Sequence, residues 1–263
     1  MIRRILNAYM IEWIKYTRQV FTFVGPALVI VLVLLAPLSH PLEKDSANDY
    51  AFISYALPMA LNLFGFLMLL IYSASLMSTE LGSGTARMIL VRPLRRHEFL
   101  AAKMLNGMTY ALLLTFVASA TTWALAYTLG DLGGIEYGGE LIYTNGEMQQ
   151  AFVAATLLNL LTQFAGVAWG ILFSTLTRST AMAIGLTVGS WLLLDFVKYP
   201  LNIAPFLFSS YLEQTWTVFS DRCNAFETGF FPQAYYGIAT SLVAILLCLA
   251  CSTFVLSRRN LGS

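Results

Sequence analysis

Long stretches free of Asp, Glu, Lys and Arg alternate along this chain with short charged bands. The first lies within Gln19 to Leu42 and contains VFTFVGPALVIVLVLLAPL. As a helix rising about 1.5 Å per residue, it covers the roughly 30 Å of a bilayer's hydrocarbon. A second apolar stretch falls within Tyr50 to Thr79, a third within Met104 to Gly130 and a fourth within Met148 to Thr177. The fifth starts after Arg178 with AMAIGLTVGSWLLL before Asp195, close to the shortest helix that spans once charged ends reach the headgroups. The sixth covers roughly Pro232 to Leu256. Six transmembrane helices put both termini on one side.

Between and before these stretches the pattern changes. Ile2, Ile5, Leu6, Tyr9, Trp13, Tyr16 and Val20 recur at helical spacing, with Arg3, Arg4, Glu12, Lys15 and Arg18 elsewhere around the wheel. This predicts an amphipathic helix over residues 1–19, lying in the membrane interface. A cleaved signal peptide is not expected, because the apolar run is too long and no small-residue cleavage site follows it. DLGGIEYGGELIYTNGE, over 131–147, is rich in glycine and acid and predicts turns rather than a compact unit. The 200–232 segment, with its prolines and recurring aromatics, predicts short interfacial or re-entrant elements on the outer face. The expected fold class is all-α, a polytopic membrane protein forming one domain over 1–263.

Composition excludes a soluble alternative. Hydrophobic residues make up 58% of the 263 positions and charged residues 11%, where a soluble domain draws about a quarter from charged types. The net charge of +1 conceals an ordered distribution. Segments 1–19, 80–103, 178 and the C-terminal tail total +9, whereas 43–49, 131–147 and 195–227 total −8. Lys and Arg alone divide 12 against 3. Basic loops stay on the cytoplasmic side, so both termini are expected there, in the inner (plasma) membrane of the cell.

Several chemistries drop out. No lysine sits in a G-x-x-x-x-G-K-[ST] loop, so any ATP that powers this protein is hydrolysed by another chain. His97 and Glu98 imitate the start of a zinc helix, but Ala101 stands where the second histidine belongs. No catalytic set and no metal site is expected. Cys223, Cys248 and Cys251 form no spaced framework and are read as buried thiols.

The segment ELGSGTARMILVRPLRRHEFLAAK, residues 80–103, is the most distinctive. Gly82 and Gly84 break the second span, Thr85 caps a short helix running to Val91, and Pro93 resets the chain. Met88, Ile89, Leu90 and Val91 supply apolar knobs ringed by Arg87, Arg92, Arg95 and Arg96. Such a mixed surface suits docking against another protein. The same arginines equally suit topology enforcement and anionic lipids.

With that loop, the six-span plan and the basic N-terminal helix, the chain resembles the membrane (permease) subunit of type-2, export-associated ABC transporters. The motif carrying the resemblance falls on Glu80, Gly84, Thr85, Leu90, Pro93, Arg96 and Lys103. The resemblance implies a cytoplasmic coupling helix and turn over 85–96 between spans two and three. That helix would contact a separate ATPase subunit, which binds ATP and Mg. Two copies of each subunit would make an exporter of drugs, peptides or lipids, with no cofactor in this chain and no nucleic-acid partner. A non-transporting membrane interaction or immunity-like assembly protein is the competing reading.

Within the spans, Asn62, Asn106, Asn159 and Gln163 are candidates either for the transport path or for contacts between helices, since polar groups in hydrocarbon need internal partners. Asp195 fits a local pair with Lys198 or a cargo contact. Gly166 with Gly170, and Gly185 with Gly189, each form a G-x-x-x-G pair suited to close helix packing inside the subunit or across a dimer.

Overall fold

The computed structural model describes residues 2–42, 49–83, 95–138, 140–230 and 232–258. Among them are six helices long and apolar enough to cross a membrane: Phe21–Leu38, Tyr50–Ser83, Arg96–Leu129, Asn145–Leu176, Thr180–Val197 and Gln233–Arg258. They coincide with the six apolar stretches of the sequence, and the chain is a multi-pass membrane protein of all-α class. A helix over Ile2–Thr17 precedes them. Leu34, Phe116, Leu193, Phe196, Leu246 and Leu247 are exposed on the outside of the bundle, which is the apolar jacket that lipid requires.

Local sequence explains the helix ends. The fourth span opens on a capping box: the Thr144 hydroxyl accepts the Glu147 N–H at 3.3 Å, and the Glu147 carboxylate accepts the Thr144 N–H at 2.8 Å. Ser179 caps the fifth by accepting the Met182 N–H at 3.4 Å. At the third, Glu98 accepts the Arg95 N–H at 2.9 Å. With 34 residues, that helix is about 51 Å long, so its first turns extend beyond the hydrocarbon.

The second span is not a plain helix. Pro58 lacks an N–H, and the chain continues as a π-helix over Met59–Gly65 before returning to α geometry. A Cβ on Gly65 would lie 3.0 Å from the Ala60 carbonyl oxygen, so glycine fits the wider turn. Nearer the other end, Ser174 of the fourth span reaches into the same helix. Its hydroxyl accepts the N–H groups of Met77 at 3.0 Å and Ser78 at 2.8 Å, and donates to the Ala74 carbonyl at 2.5 Å. Ser174→Ala is expected to lower stability by about 1–2 kcal/mol. Thermal unfolding in detergent measures it, with Ser174→Thr restoring part of the loss.

The two ends of the bundle differ in charge. At the basic end the N-terminal helix, the start of the third span, the 177–179 turn and the end of the sixth span come together. Arg96 Nη1 donates to the carbonyls of Leu256 and Ser257 at 2.6 and 2.7 Å, and the Tyr9 and Thr109 hydroxyls meet at 2.9 Å. At the acidic end, an antiparallel hairpin pairs Ile135–Tyr137 with Glu140–Tyr143, where the sequence predicted only turns. The 200–232 segment holds two single 3-10 turns and a helix over Tyr211–Cys223. That helix buries Leu212, Trp216 and Phe219 against the bundle, beside Tyr50 and Phe152.

Two expectations need correction. The N-terminal helix does not keep its charges off the packed face: Glu12 and Tyr16 are its buried positions, and Leu6, Met10, Ile11 and Ile14 face outward. Glu12 lies one turn from Tyr16 on the same face, and Lys103 gives it a buried partner there. Cys223 and Cys248 are buried as expected, but Cys251 is exposed on the surface of the sixth span. Lipid accepts a thiol there at little cost. Burial pushes the Cys223 thiol up to about 12, so it stays protonated and unreactive.

Candidate functional site

At the basic end, four charged side chains from three separate helices form one cluster. Lys103 of the third span is fully buried and donates to Glu12 Oε2 of the N-terminal helix at 2.5 Å and to Glu80 Oε1 of the second span at 2.8 Å. Lys15 donates to the same Glu80 oxygen at 2.5 Å from the cluster's exposed edge. Two cations balance two anions. Placing a lone ammonium in this position would carry a large desolvation cost, and the paired carboxylates offset it.

Tyr16 walls the cluster, with the Lys103 ammonium 5.6 Å from its ring centroid and Phe99 on another side at 5.2 Å. Burial, together with the Glu12 and Glu80 carboxylates, holds the Tyr16 phenol well above its ordinary pKa. It therefore remains a donor. The cluster ties the N-terminal helix to the second and third spans at the root of the loop that connects them.

A second polar set lies deeper. Gln163 Nε2 donates to Asn159 Oδ1 at 2.7 Å, and Asn159 Nδ2 donates to Asn62 Oδ1 and to the Leu212 carbonyl, both at 3.0 Å. Thr115 donates to Gln163 Oε1 at 3.3 Å. Spans two, three and four and the Tyr211–Cys223 helix are thus joined through side chains within the bundle. Asn62 stands in the π-helix and also lines a cavity of about 270 Å3 with Trp191, Asp195 and Glu213. Asp195 accepts from the buried Lys198 at 2.6 Å while lining that cavity.

A family model described as ABC-2 family transporter protein matches residues 9–193. The chain belongs to the ABC-2 family. Its members are non-catalytic permease subunits that typically pair with an ATPase, so this chain is a membrane transporter subunit without hydrolytic chemistry of its own. No curated protein matches it. The matched stretch includes the whole ion cluster, residues 84–94 and the Asn62, Asn159 and Gln163 set.

Within this ABC-2 permease, Gly84, Thr85, Arg87, Met88, Ile89, Leu90, Arg92 and Pro93 lie outside the described residues, as does most of the expected 85–96 helix. Arg95 and Arg96 stand at the start of the third span. Glu80 is buried in the ion cluster. Asn106, buried beside Tyr72, accepts from that phenol at 3.4 Å. The two glycine pairs part company. A Cβ at Gly166 would meet the Phe66 ring at 2.4 Å, and one at Gly170 would meet Ser73 Oγ at 1.9 Å, so this pair seats the fourth span on the second. Gly185 and Gly189 face open space on the fifth span.

Sequence reasoning missed Glu12, Lys15 and Tyr16 as members of the site. The available signal was Glu12 itself, an acid in a helix otherwise carrying basic charges. Its spacing from Tyr9, Trp13 and Tyr16 puts it on the packed face.

Proposed function

We propose that this chain is the transmembrane subunit of an ATP-driven exporter, with the 85–96 segment docking on a separate ATPase and the Glu12–Lys103–Glu80 cluster carrying that contact into the bundle. The supporting observation is the pairing of Glu80 with Lys103. The two ends of the family's cytoplasmic motif meet in an ion pair at the root of the loop, and the same lysine holds the N-terminal helix. A loop shifted by its motor therefore pulls on three helices at once.

The charge asymmetry supports a cytoplasmic basic end, with both termini and the N-terminal interfacial helix there, and an acidic end outside. A second permease copy would seat against the open Gly185 and Gly189 face of the fifth span. ATP and Mg act in the partner subunits: their closing favours one arrangement of the permease pair, and hydrolysis restores the other. The cargo, a drug, peptide or lipid, would pass by Asn62 and Asp195. Asn159 and Gln163 hold that wall in place through their mutual hydrogen bonds.

Reconstitution of the permease with its ATPase subunit tests the reading. Arg87→Glu with Arg92→Glu is expected to abolish stimulation of ATP hydrolysis while the permease keeps its thermal stability. Stimulation and transport unchanged by these reversals, or a functional preparation that contains no ATPase, would favour the non-transporting reading instead.

A further inference from the structure

Residues 84–94 join the end of the second span at Ser83 to the start of the third at Arg96, and the positions flanking them touch helices far off in the chain. On the third-span side, Arg96 Nη1 donates to the carbonyls of Leu256 and Ser257 at 2.6 and 2.7 Å. These carbonyls belong to the last turn of the sixth span, Gln233–Arg258, where a helix has no partners of its own to offer. A guanidinium suits that end twice over, as a donor to the open carbonyls and as positive charge at the negative pole of the helix. Beside it Met77 of the second span, Phe99 of the third and Leu256 of the sixth form a separate apolar cluster, each at most 2% exposed. Two independent contacts thus fix the end of the sixth span.

On the second-span side, Gly82 abuts the turn between the fourth and fifth spans. A Cβ there would lie 2.4 Å from the Arg178 carbonyl oxygen, a backbone atom that no rotamer can move, so any side chain would push the turn away. The next residue, Ser179, accepts the Met182 N–H at 3.4 Å and caps the fifth span. Ser174 holds the fourth span to the second about one turn earlier, which keeps the turn in place against Gly82. A shift of Gly82 is therefore a shift of the start of the fifth span.

We infer that Arg96 and Gly82 are positioning residues of the coupling step: Arg96 holds the end of the sixth span, Gly82 seats the turn into the fifth, and a movement of the intervening 84–94 segment is delivered to both spans. The inference rests on the docking reading above and divides its arginines. Arg87 and Arg92 meet the ATPase, whereas Arg96 is engaged inside the subunit. Together with the ion cluster, the two flanks of one segment then reach the N-terminal helix and the second, third, fifth and sixth spans.

Titration of the full-length permease against its ATPase subunit tests this by separating two quantities, the permease concentration at half-maximal stimulation of ATP hydrolysis and the maximal stimulation. Arg96→Gln is expected to leave the first unchanged and to cut the second about tenfold, the ratio that loss of one hydrogen bond to a charged group gives. Gly82→Ala should also lower the maximum alone. Arg87→Glu with Arg92→Glu acts on the concentration instead. Arg96→Lys keeps a donor and a positive charge at the sixth span and should restore most of the stimulation. Amide hydrogen exchange of the permease alone gives the second readout. Arg96→Gln should speed exchange at 254–258 and leave 183–187 as in the wild type, and Gly82→Ala should do the reverse; a general loss of structure would speed both. A raised half-maximal concentration for Arg96→Gln would put Arg96 on the docking surface and overturn the assignment, as would wild-type maximal stimulation by both variants. Failure of the docking reading shows elsewhere, as normal stimulation by the Arg87→Glu, Arg92→Glu variant, and the exchange pattern then decides the two attachments by itself.

Discussion

Lys103→Met is expected to cost about 3–5 kcal/mol of stability, the range found when one partner of a buried ion pair is removed. It leaves Glu12 and Glu80 as buried carboxylates, with side chains 7% and 3% exposed, and only Lys15 at the edge to compensate. The N-terminal helix then loses its central attachment to the third span. The measurement is thermal unfolding of the solubilised permease, together with its stimulation of a partner ATPase. Glu12→Gln combined with Lys103→Met and Glu80→Gln should recover much of the stability, since no charge is left stranded, but not the coupling. A triple variant that couples normally would show the ion pairs to be structural only.

Gly170→Val is the second large effect, expected to cost about 3 kcal/mol or more through overpacking. The first added carbon would already lie 1.9 Å from Ser73 Oγ, 2.8 Å from its Cβ and 3.1 Å from the Ala74 backbone nitrogen. No rotamer change relieves a backbone contact, so the fourth span must move off the second and drag Ser174 away from Met77 and Ser78. A Cβ at Gly185 has no neighbour within 4 Å among the described residues, so Gly185→Val should leave the melting temperature unchanged. Melting curves of the two variants side by side check this contrast. If a second copy docks on the fifth span, Gly185→Val should also reduce the dimer seen by light scattering in detergent.

These two glycine pairs show where sequence reading reaches its limit. Each has the same G-x-x-x-G spacing and each sits in an apolar helix, yet one is jammed against Phe66 and Ser73 while the other faces outward. Nothing local distinguishes them, because the difference lies in which helix comes alongside. Glu12 is similar. On a helical wheel it reads as a polar interruption, and only Lys103, far along the chain, makes it a packed residue. The π-helix at Met59–Gly65 had Pro58 as a local cue, but that cue alone does not separate a kink from a widened turn. Asn62, Asn159 and Gln163 were visible as polar groups needing partners, and the fold decided that they partner one another.

The amino-acid sequence by itself determined the number of membrane-spanning helices, their limits to within about four residues except at the start of the third, which begins at Arg96 and not near Met104, and the opposite charge of the two ends. Hydrophobicity and charge are sums over neighbouring residues, and each span must satisfy the bilayer on its own. Only the tertiary structure decided that Glu12, Glu80 and Lys103 meet, and that one glycine pair is buried while the other is open. Those outcomes depend on distances between residues remote in sequence, and pair energies fall so steeply with distance that no one-dimensional pattern contains them.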